Sequence, residues 1–331
     1  MKINVISETE FTVKGHGVHT AYIELTTALK ARDDADVTVN ARNSSDIVHL
    51  HTIGIYALFF LLFSRGKKVV SAHVVPDSFV GSIVGAKYWL PIMKLYLRWL
   101  YNRADLVLAV SDETRRQLLS LGVKKPIEIF YNVIDTSRYH NSPDLKNAAR
   151  ENLGIAPDAW VVIGAGQVQP RKRVDSFISG AKALPHVTYY WVGGMPFGKI
   201  AANNADMQRM IDTAPENMHF VGIVPLEEMK QYYQAADVFF LPSAQETFGL
   251  VVVEGAAAGL PVMLRDIEDY DETFRDYSIM ADEAGFVAGV EKLRIDTVYY
   301  RQMSEQALKL AEKYDATRGA ARLMDLYRKL I

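Results

Sequence analysis

Short apolar runs rich in β-branched and aromatic residues alternate with helical periodicity along the whole chain. In the first half, "INVIS", "VTVN", "IVHLH", "KVVSAHV", "LVLAVS" and "IEIFYNV" predict strands; in the second, "WVVIGAG", "VTYYWVG", "MHFVGIV", "VFFLPS" and "PVML" do. Several are apolar on both faces, as strands of a buried parallel sheet are. Between the first two, Val18, Ala21, Tyr22, Leu25, Ala28 and Leu29 recur at helical spacing. The alternation predicts an α/β protein with doubly wound parallel sheets. The polar, turn-rich stretch "DTSRYHNSPDLKNAARENLGIAPDAW" interrupts it and predicts a linker around residues 136–158. Two domains follow, 1–148 and 149–312, with residues 313–331 forming a helix that returns to the first. Two such domains facing each other would create a cleft, with ligands beyond the carboxyl ends of the strands.

Composition narrows this picture only slightly. The 331 residues are 49% hydrophobic and 23% charged, ordinary for a protein with a real core. Without cysteine there can be no disulfide framework and no thiolate-bound metal. The start, "MKINVISETEF", lacks the apolar core of a secretory signal. The longest apolar run, "IGIYALFFLLF", is 11 residues. A bilayer span needs roughly 20, so the run predicts a buried helix. Residues 1–155 carry 19 Lys and Arg against 15 Asp and Glu, a net of +4, and the remainder is −6. A basic first half is compatible with an anionic surface partner. No nucleic-acid partner is expected.

The chemistry gathers at strand ends. In "PSAQETFGLVVVEGAAAGLPV" a helix is expected to begin close to Thr247 and to stop at Gly259, with Pro261 just beyond. Its first-turn amides, at Thr247, Phe248, Gly249 and Leu250, would form an anion site with the helix dipole. Glu246 and Glu254 would lie on one face, roughly 12 Å apart. A pyrophosphate at the helix start, with a polyol held by each carboxylate, has the outline of a nucleotide diphospho-sugar. Glu254 sits among valines, glycine and alanines, where an idle carboxylate would be costly to bury. In "GAGQVQPRKRVD", Arg171, Lys172 and Arg173 bring three cations to another strand end, as a pyrophosphate requires. A solvated basic turn is the plainer reading of that stretch.

"KGHGVHTAYIEL" places Gly15 and Gly17 in a tight loop before a helix, with His16 and His19 as bystanders or hydrogen-bonding groups. "KVVSAHVVPDSF" puts His73 after a strand, either in the core or in the site; His49 and His51 alternate on another. The "DAD" of residues 34–36 lies in a charged turn, and no metal site is predicted. In "KYWLPIMKLYLRWLYNRA", Lys87, Lys94 and Arg98 fall on one helical stripe, with Trp89, Ile92, Tyr96 and Trp99 opposite. That pattern suits an interfacial helix on an anionic membrane, or a core helix with a basic edge.

Glu246 and Glu254 match the E-x7-E motif of glycosyltransferase family 4, which the chain resembles over most of its length and most strongly from Asn217 to Leu264. The resemblance implies the GT-B fold and retaining transfer from a nucleotide-sugar. It implies a donor-binding second domain and an acceptor- and membrane-facing first one. Glu246 would contact the donor sugar, Glu254 the ribose, and amides Thr247 to Leu250 the diphosphate. "GQVQPRKRVD" is similar to the family's G-R-L-x-x-x-K-G-x-D, which puts Lys172 on the leaving diphosphate. Gln167 replaces the family's Arg, so Arg171 or Arg173 must supply the second cation. The loop at Gly17 resembles the family's G-G-V loop, with a donor-binding role, and His73 takes the place of a histidine near donor and acceptor. Diphosphate held by cations and amides implies no metal and no cofactor.

"GHGVHTAY" with "GQVQPRK" is similar to bacterial synthases that add a second hexose to glucosyl-diacylglycerol. The partners so implied are a UDP-hexose (glucose or galactose), a glycolipid and the anionic inner face of the cell membrane, with a peripheral, cytoplasmic placement. The same chemistry on a soluble or polyprenyl-linked saccharide, or sugar-nucleotide sensing without turnover, are the alternatives.

Overall fold

The computed structural model describes residues 1–11, 17–76, 86–195 and 204–331, with the side chains of residues 86–88, 204 and 205 left aside. Each predicted strand is present. The first sheet contains β1 (Lys2–Ile6), β2 (Asp36–Val39), β3 (Ile47–Leu50), β4 (Lys67–Ala72), β5 (Leu106–Ala109) and β6 (Ile127–Ile129). Its order is β2-β1-β3-β4-β5-β6, and every pairing is parallel. Its helices are α1 (Gly17–Lys30), α2 (Ile55–Phe63), α3 (Ala86–Tyr101) and α4 (Asp112–Ser120). Alternate residues of each strand enter opposite cores, as the two-residue side-chain period requires. Ile3, Val5, Ile47 and Val69 meet Tyr22, Leu25 and Leu29 of α1 on one face. Ile6, Val48, Leu50 and Val70 meet Phe60 and Leu61 of α2 and Leu97 and Leu100 of α3 on the other.

The second half begins with α5 (Pro143–Leu153) and contains β7 (Val161–Ala165), α6 (Val174–Ala183), β8 (Thr188–Val192), α7 (Asn204–Asp212), β9 (Met218–Gly222), α8 (Leu226–Ala235), β10 (Val238–Leu241), α9 (Leu250–Ala257), β11 (Val262–Arg265), β12 (Ile279–Ala281), α10 (Gly285–Ile295) and α11 (Thr297–Lys313). The parallel order is β12-β11-β10-β7-β8-β9. Numbered from β7, this is the 3-2-1-4-5-6 order of a dinucleotide-binding sheet, whose strand sequence reverses between β7 and β10. β12 has no counterpart among the predicted strands: it is a three-residue, half-buried edge strand against β11, and its residues stand between polar ones instead of in a longer apolar run.

The chain forms two compact units, which divide between Asp135 and Thr136. Residues 136–158 are therefore not a linker. Ser142 caps α5 by accepting from the Leu145 amide, Pro143 occupies the first turn, and Gly154 ends the helix at φ 66°. Arg150 then ties α5 to the second unit, donating to the carbonyls of Ala235 and Pro157 and, at 2.8 Å, to Asp237. Asp237 also accepts from Lys146 and the Val161 amide. The last helix, α12 (Ala316–Arg328), belongs to the first unit. There Ala320, Leu323 and Met324 pack in the core with α1, and the Tyr327 hydroxyl meets His49 Nδ1 at 2.6 Å.

One expectation fails in the first unit. α2 is not a buried helix: Ala57, Phe60 and Leu61 face the core, but Ile55, Phe59, Leu62 and Phe63 are exposed. A helix laid on one face of a sheet can bury only one stripe, and this segment is apolar all round. No helix among the described residues is long and apolar enough to cross a membrane.

Removing the Asp237 carboxylate leaves the Arg150 guanidinium buried without its charge partner. Asp237→Ala should cost about 3–5 kcal/mol, read from urea unfolding followed by a probe in the second unit.

Candidate functional site

In the second unit, β7 and β10 are hydrogen-bonded neighbours at the point where strand order reverses, and the two motif loops leave their carboxyl ends. After β7 the chain turns at Gly166, with φ 132°. A Cβ there would come within 3.4 Å of the Lys172 side chain, so glycine leaves room for the lysine. A 3-10 turn, Pro170–Lys172, follows and ends on Arg173 in the left-handed region at φ 49°. From this turn Lys172 points inward. Both it and Glu246 are buried, and the Lys172 ammonium donates to Glu246 Oε1. Arg171 stands 3.4 Å from the other oxygen and also donates to the Gln245 carbonyl.

The two loops are further tied through the backbone. The Ala244 amide donates to the Arg171 carbonyl at 2.8 Å, and the Glu246 amide to Asp269 at 2.7 Å. Burial works against charge on both members of the pair. For Glu246 that tendency is outweighed by Lys172 and Arg171, which hold the carboxyl below the usual range. The Lys172 ammonium is pushed down by burial and supported by Glu246. The arrangement is an anionic carboxylate with cations on two sides.

Arg171 and Arg173 separate clearly. Arg173 forks onto Asp175 at 2.8–3.1 Å and is 3.6 Å from Glu283. Arg171 stays beside Glu246, and Gln169 accepts from its Nε while donating to Gln167. Gln167, at the position of the motif's Arg, is thus connected to the arginine that lies by the carboxylate.

The segment after β10 differs from the expected helix start. α9 begins at Leu250, three residues beyond Thr247. Gly249 precedes it at φ 88°, a left-handed conformation that cannot continue a right-handed helix. Thr247, Phe248 and Gly249 form a loop, and the buried Phe248 ring packs on Phe274. Glu246 and Glu254 consequently do not share a helical face. Glu246 belongs to the loop, and Glu254 lies one turn into the helix. The carboxyl end matches expectation: Gly259 takes φ 72°, and bonds from its amide to Ala256 and from Leu260 to Gly255 close the helix. Glu254 is buried and accepts from the Tyr233 hydroxyl at 2.7 Å.

In the first unit, His73 is half-buried after β4, its Nε2 3.2 Å from Nδ1 of His51. His49 is held by Ser71 and Tyr327, and burial together with His73 pushes it down to about 3. Burial, His49 and His73 likewise push His51 well below its ordinary value. Both rings are neutral at pH 7. Gly17 is the first residue of α1, with open space where a Cβ would stand. His19 meets Thr9 at 3.0 Å. Gly15 and His16 lie outside the described residues. Asp34 of "DAD" is engaged by Arg32 and Arg328.

α3 departs from the predicted split into opposite faces. Leu97, Leu100 and Tyr101 are its buried side, while Trp89 and Tyr96 are only half-buried. Tyr96 turns its hydroxyl to the Ile53 carbonyl. Ile92 and Leu95, 73% and 68% exposed, share the solvent side with Trp99, Lys94 and Arg98. The sheet claims the arc between the two predicted stripes, leaving the cations and part of the apolar stripe together in water. The Lys87 side chain lies outside those described.

The sequence matches the Glycosyltransferase Family 4 pattern over residues 17–138 and the Glycosyl transferases group 1 pattern over 146–310. It is 30% identical to alpha-galactosylglucosyldiacylglycerol synthase of Streptococcus pneumoniae, over 99% of this chain and 90% of that protein. The chain belongs to family 4 of the glycosyltransferases. It is also 29% identical to a processive diacylglycerol alpha-glucosyltransferase of Acholeplasma laidlawii, over 82% of this chain and 80% of that one. Anabaena HepE in complex with UDP-glucose superposes with a TM-score of 0.79 at 18% identity, covering 99% of this chain and 100% of that one. Sucrose-phosphate synthase of Thermosynechococcus elongatus gives 0.81 at 16% identity, over 99% and 98%. The fold of this glycosyltransferase is GT-B.

The sequence offered Lys172 and Glu246 to one site and left Arg171 and Arg173 as alternatives; the structure places Arg171 with the pair, and the supports of both carboxylates were not foreseen. Asp269, which holds the Glu246 amide, lies 23 residues downstream in an ordinary acidic loop. Tyr233, the partner of Glu254, comes from a different helix. Neither carries a local signal, because both act across the fold.

Lys172→Met should destabilise the glycosyltransferase by about 3–5 kcal/mol by stranding Glu246, and adding Glu246→Gln should restore much of the loss, as a double-mutant cycle in denaturant will read. Because the Glu246 carboxyl is lowered in the folded state, its stabilisation is complete above the ordinary carboxylate range and is lost as pH falls through the lowered value. Glu246→Gln should remove that acid dependence from the unfolding curves.

Proposed function

We propose that this enzyme moves a hexose from a UDP-sugar to a membrane glycolipid such as glucosyl-diacylglycerol, with retention and without a metal. The observation that carries the reading is the buried Lys172–Glu246 pair at the β7–β10 strand ends, with Arg171 alongside. The names of the two relatives, both diacylglycerol glycosyltransferases, support the acceptor class. The HepE complex with UDP-glucose supports the donor.

In this reading Lys172 and Arg171, with the amides of Thr247, Phe248, Gly249 and Leu250, stabilise the departing diphosphate by preorganised charge. Glu246 orients the donor sugar and Glu254 the ribose. Gly17 admits the donor near the start of α1, and His73 serves the donor sugar and incoming acceptor. The acceptor hydroxyl attacks from the face the leaving group departs, and the leaving phosphate takes its proton, so no covalent nucleophile is needed. Cations take the place of a metal on the diphosphate, and no cofactor takes part. The enzyme lies peripherally on the cytoplasmic face of an anionic membrane, held by Lys87, Lys94, Arg98 and Trp99 of α3, with Trp89 at its less exposed edge.

A panel of UDP-sugars offered with glucosyl-diacylglycerol tests the reaction, with the anomeric configuration of the product determined. A UDP-hexose should give an α-linked second sugar. Tight UDP-sugar binding without UDP release would support a sensor instead, and transfer only to soluble saccharides would refute the lipid acceptor. Lys172→Ala should lower kcat about a hundred- to a thousandfold, measured as UDP release. Replacing Lys94 and Arg98 by Gln should weaken flotation with anionic vesicles by roughly fivefold per cation, from about 1 kcal/mol each, and have little effect with zwitterionic ones.

A further inference from the structure

Strand order in the first unit reverses where β1 lies between β2 and β3, and beyond the ends of β1 and β3 is an open cavity of about 570 Å³. That volume is within the range of small-ligand sites, and such crevices are where sheets of this kind hold ligands. Phe11, Ile55, Tyr56 and Phe59 supply its apolar wall. Its polar lining is engaged inside the protein. Glu8 accepts from the Tyr56 and Ala57 amides at 2.7 and 3.2 Å, capping α2. A Cβ at Gly54 would overlap the Glu8 carboxylate where it stands, so a larger residue there would displace the cap. Thr52 accepts from the Glu8 amide, Thr9 joins Ser7 and His19, and the Tyr56 hydroxyl donates to the Asn40 carbonyl.

We propose that this cavity holds one hydrocarbon chain of a membrane lipid. An apolar wall with its polar groups already bonded selects for a ligand that needs no hydrogen bonds. The occupant is further indicated by what the wall leads to. Ile55 and Phe59 of the cavity continue at helical spacing into Leu62 and Phe63, and Ile55 and Phe63 are 87% and 70% exposed. α2 carries no charged residue. A chain entering from a bilayer therefore meets an uninterrupted apolar stripe. This site deepens the proposed function, because it rests on the acceptor being a lipid, and it gives the sugar-bearing molecule a foothold separate from its sugar.

Binding of octyl, nonyl and decyl glucoside, each below its micelle concentration, can be measured by titration calorimetry with no donor present. Affinity should rise by up to roughly fourfold per added methylene, the factor for a fully buried CH₂. Ile55→Ser with Phe59→Ser should weaken the decyl glucoside at least tenfold and flatten the series. Ile92→Ser with Leu95→Ser, on α3, should leave the series unchanged. Both pairs replace side chains with large exposed areas, and thermal melts establish that each variant is folded. No chain-length dependence in the parent enzyme, or an unaltered series in the Ile55 and Phe59 variant, would overturn the site. Failure of the proposed reaction is read separately, as absence of glycolipid product in the presence of UDP-sugar.

Discussion

A carboxylate and an ammonium removed from water together govern this protein's second unit. Neither Glu246 nor Lys172 could stay charged in its burial alone, so the β7 and β10 loops must approach closely enough for each to compensate the other. Much of the surrounding detail serves that approach. Gly166 clears space for the lysine, the Arg171 carbonyl binds the Ala244 amide, and Asp269 holds the Glu246 backbone. The strand order supplies the remaining condition, because β7 and β10 can be neighbours only where the winding changes direction.

The first unit repeats the architecture with different chemistry at its strand ends. Buried charge is largely replaced by neutral imidazoles, hydroxyls and a carboxylate used as a helix cap. His49 and His51 are kept unprotonated by burial, and Glu8 is directed onto the amides of α2. Satisfying polar groups internally leaves aromatic and aliphatic surface facing outward. That surface lies on α2 and α3.

The places where sequence reading and structure part share one cause. The other eleven strands were legible because apolar β-rich runs report their own burial; β12 was not, because Ile279, Met280 and Ala281 stand alone between polar residues and belong to no longer apolar run. The start of α9 was misplaced because charge spacing implies a continuous helix, while Gly249 in the left-handed region holds the helix start back to Leu250. α2 read as buried since all its residues are apolar, although a sheet covers only one side of a helix. α3 read as two opposed faces, yet the buried arc lies between them.

The sequence by itself determined the α/β class, the positions of the parallel strands, the donor-type motif and the cations offered to it. Those properties are local, carried by periodicity and by residues a few positions apart. Tertiary structure alone decided that Arg171 rather than Arg173 stands beside the carboxylate, and that α5 belongs with the second half of the chain. It also decided which apolar side chains remain in water. The last two depend on what lies across the fold, as where Asp237 captures Arg150; Arg173 itself turns to its near neighbour Asp175 and to the distant Glu283. A linear pattern records which groups need partners; only the packed chain determines which partner each one reaches.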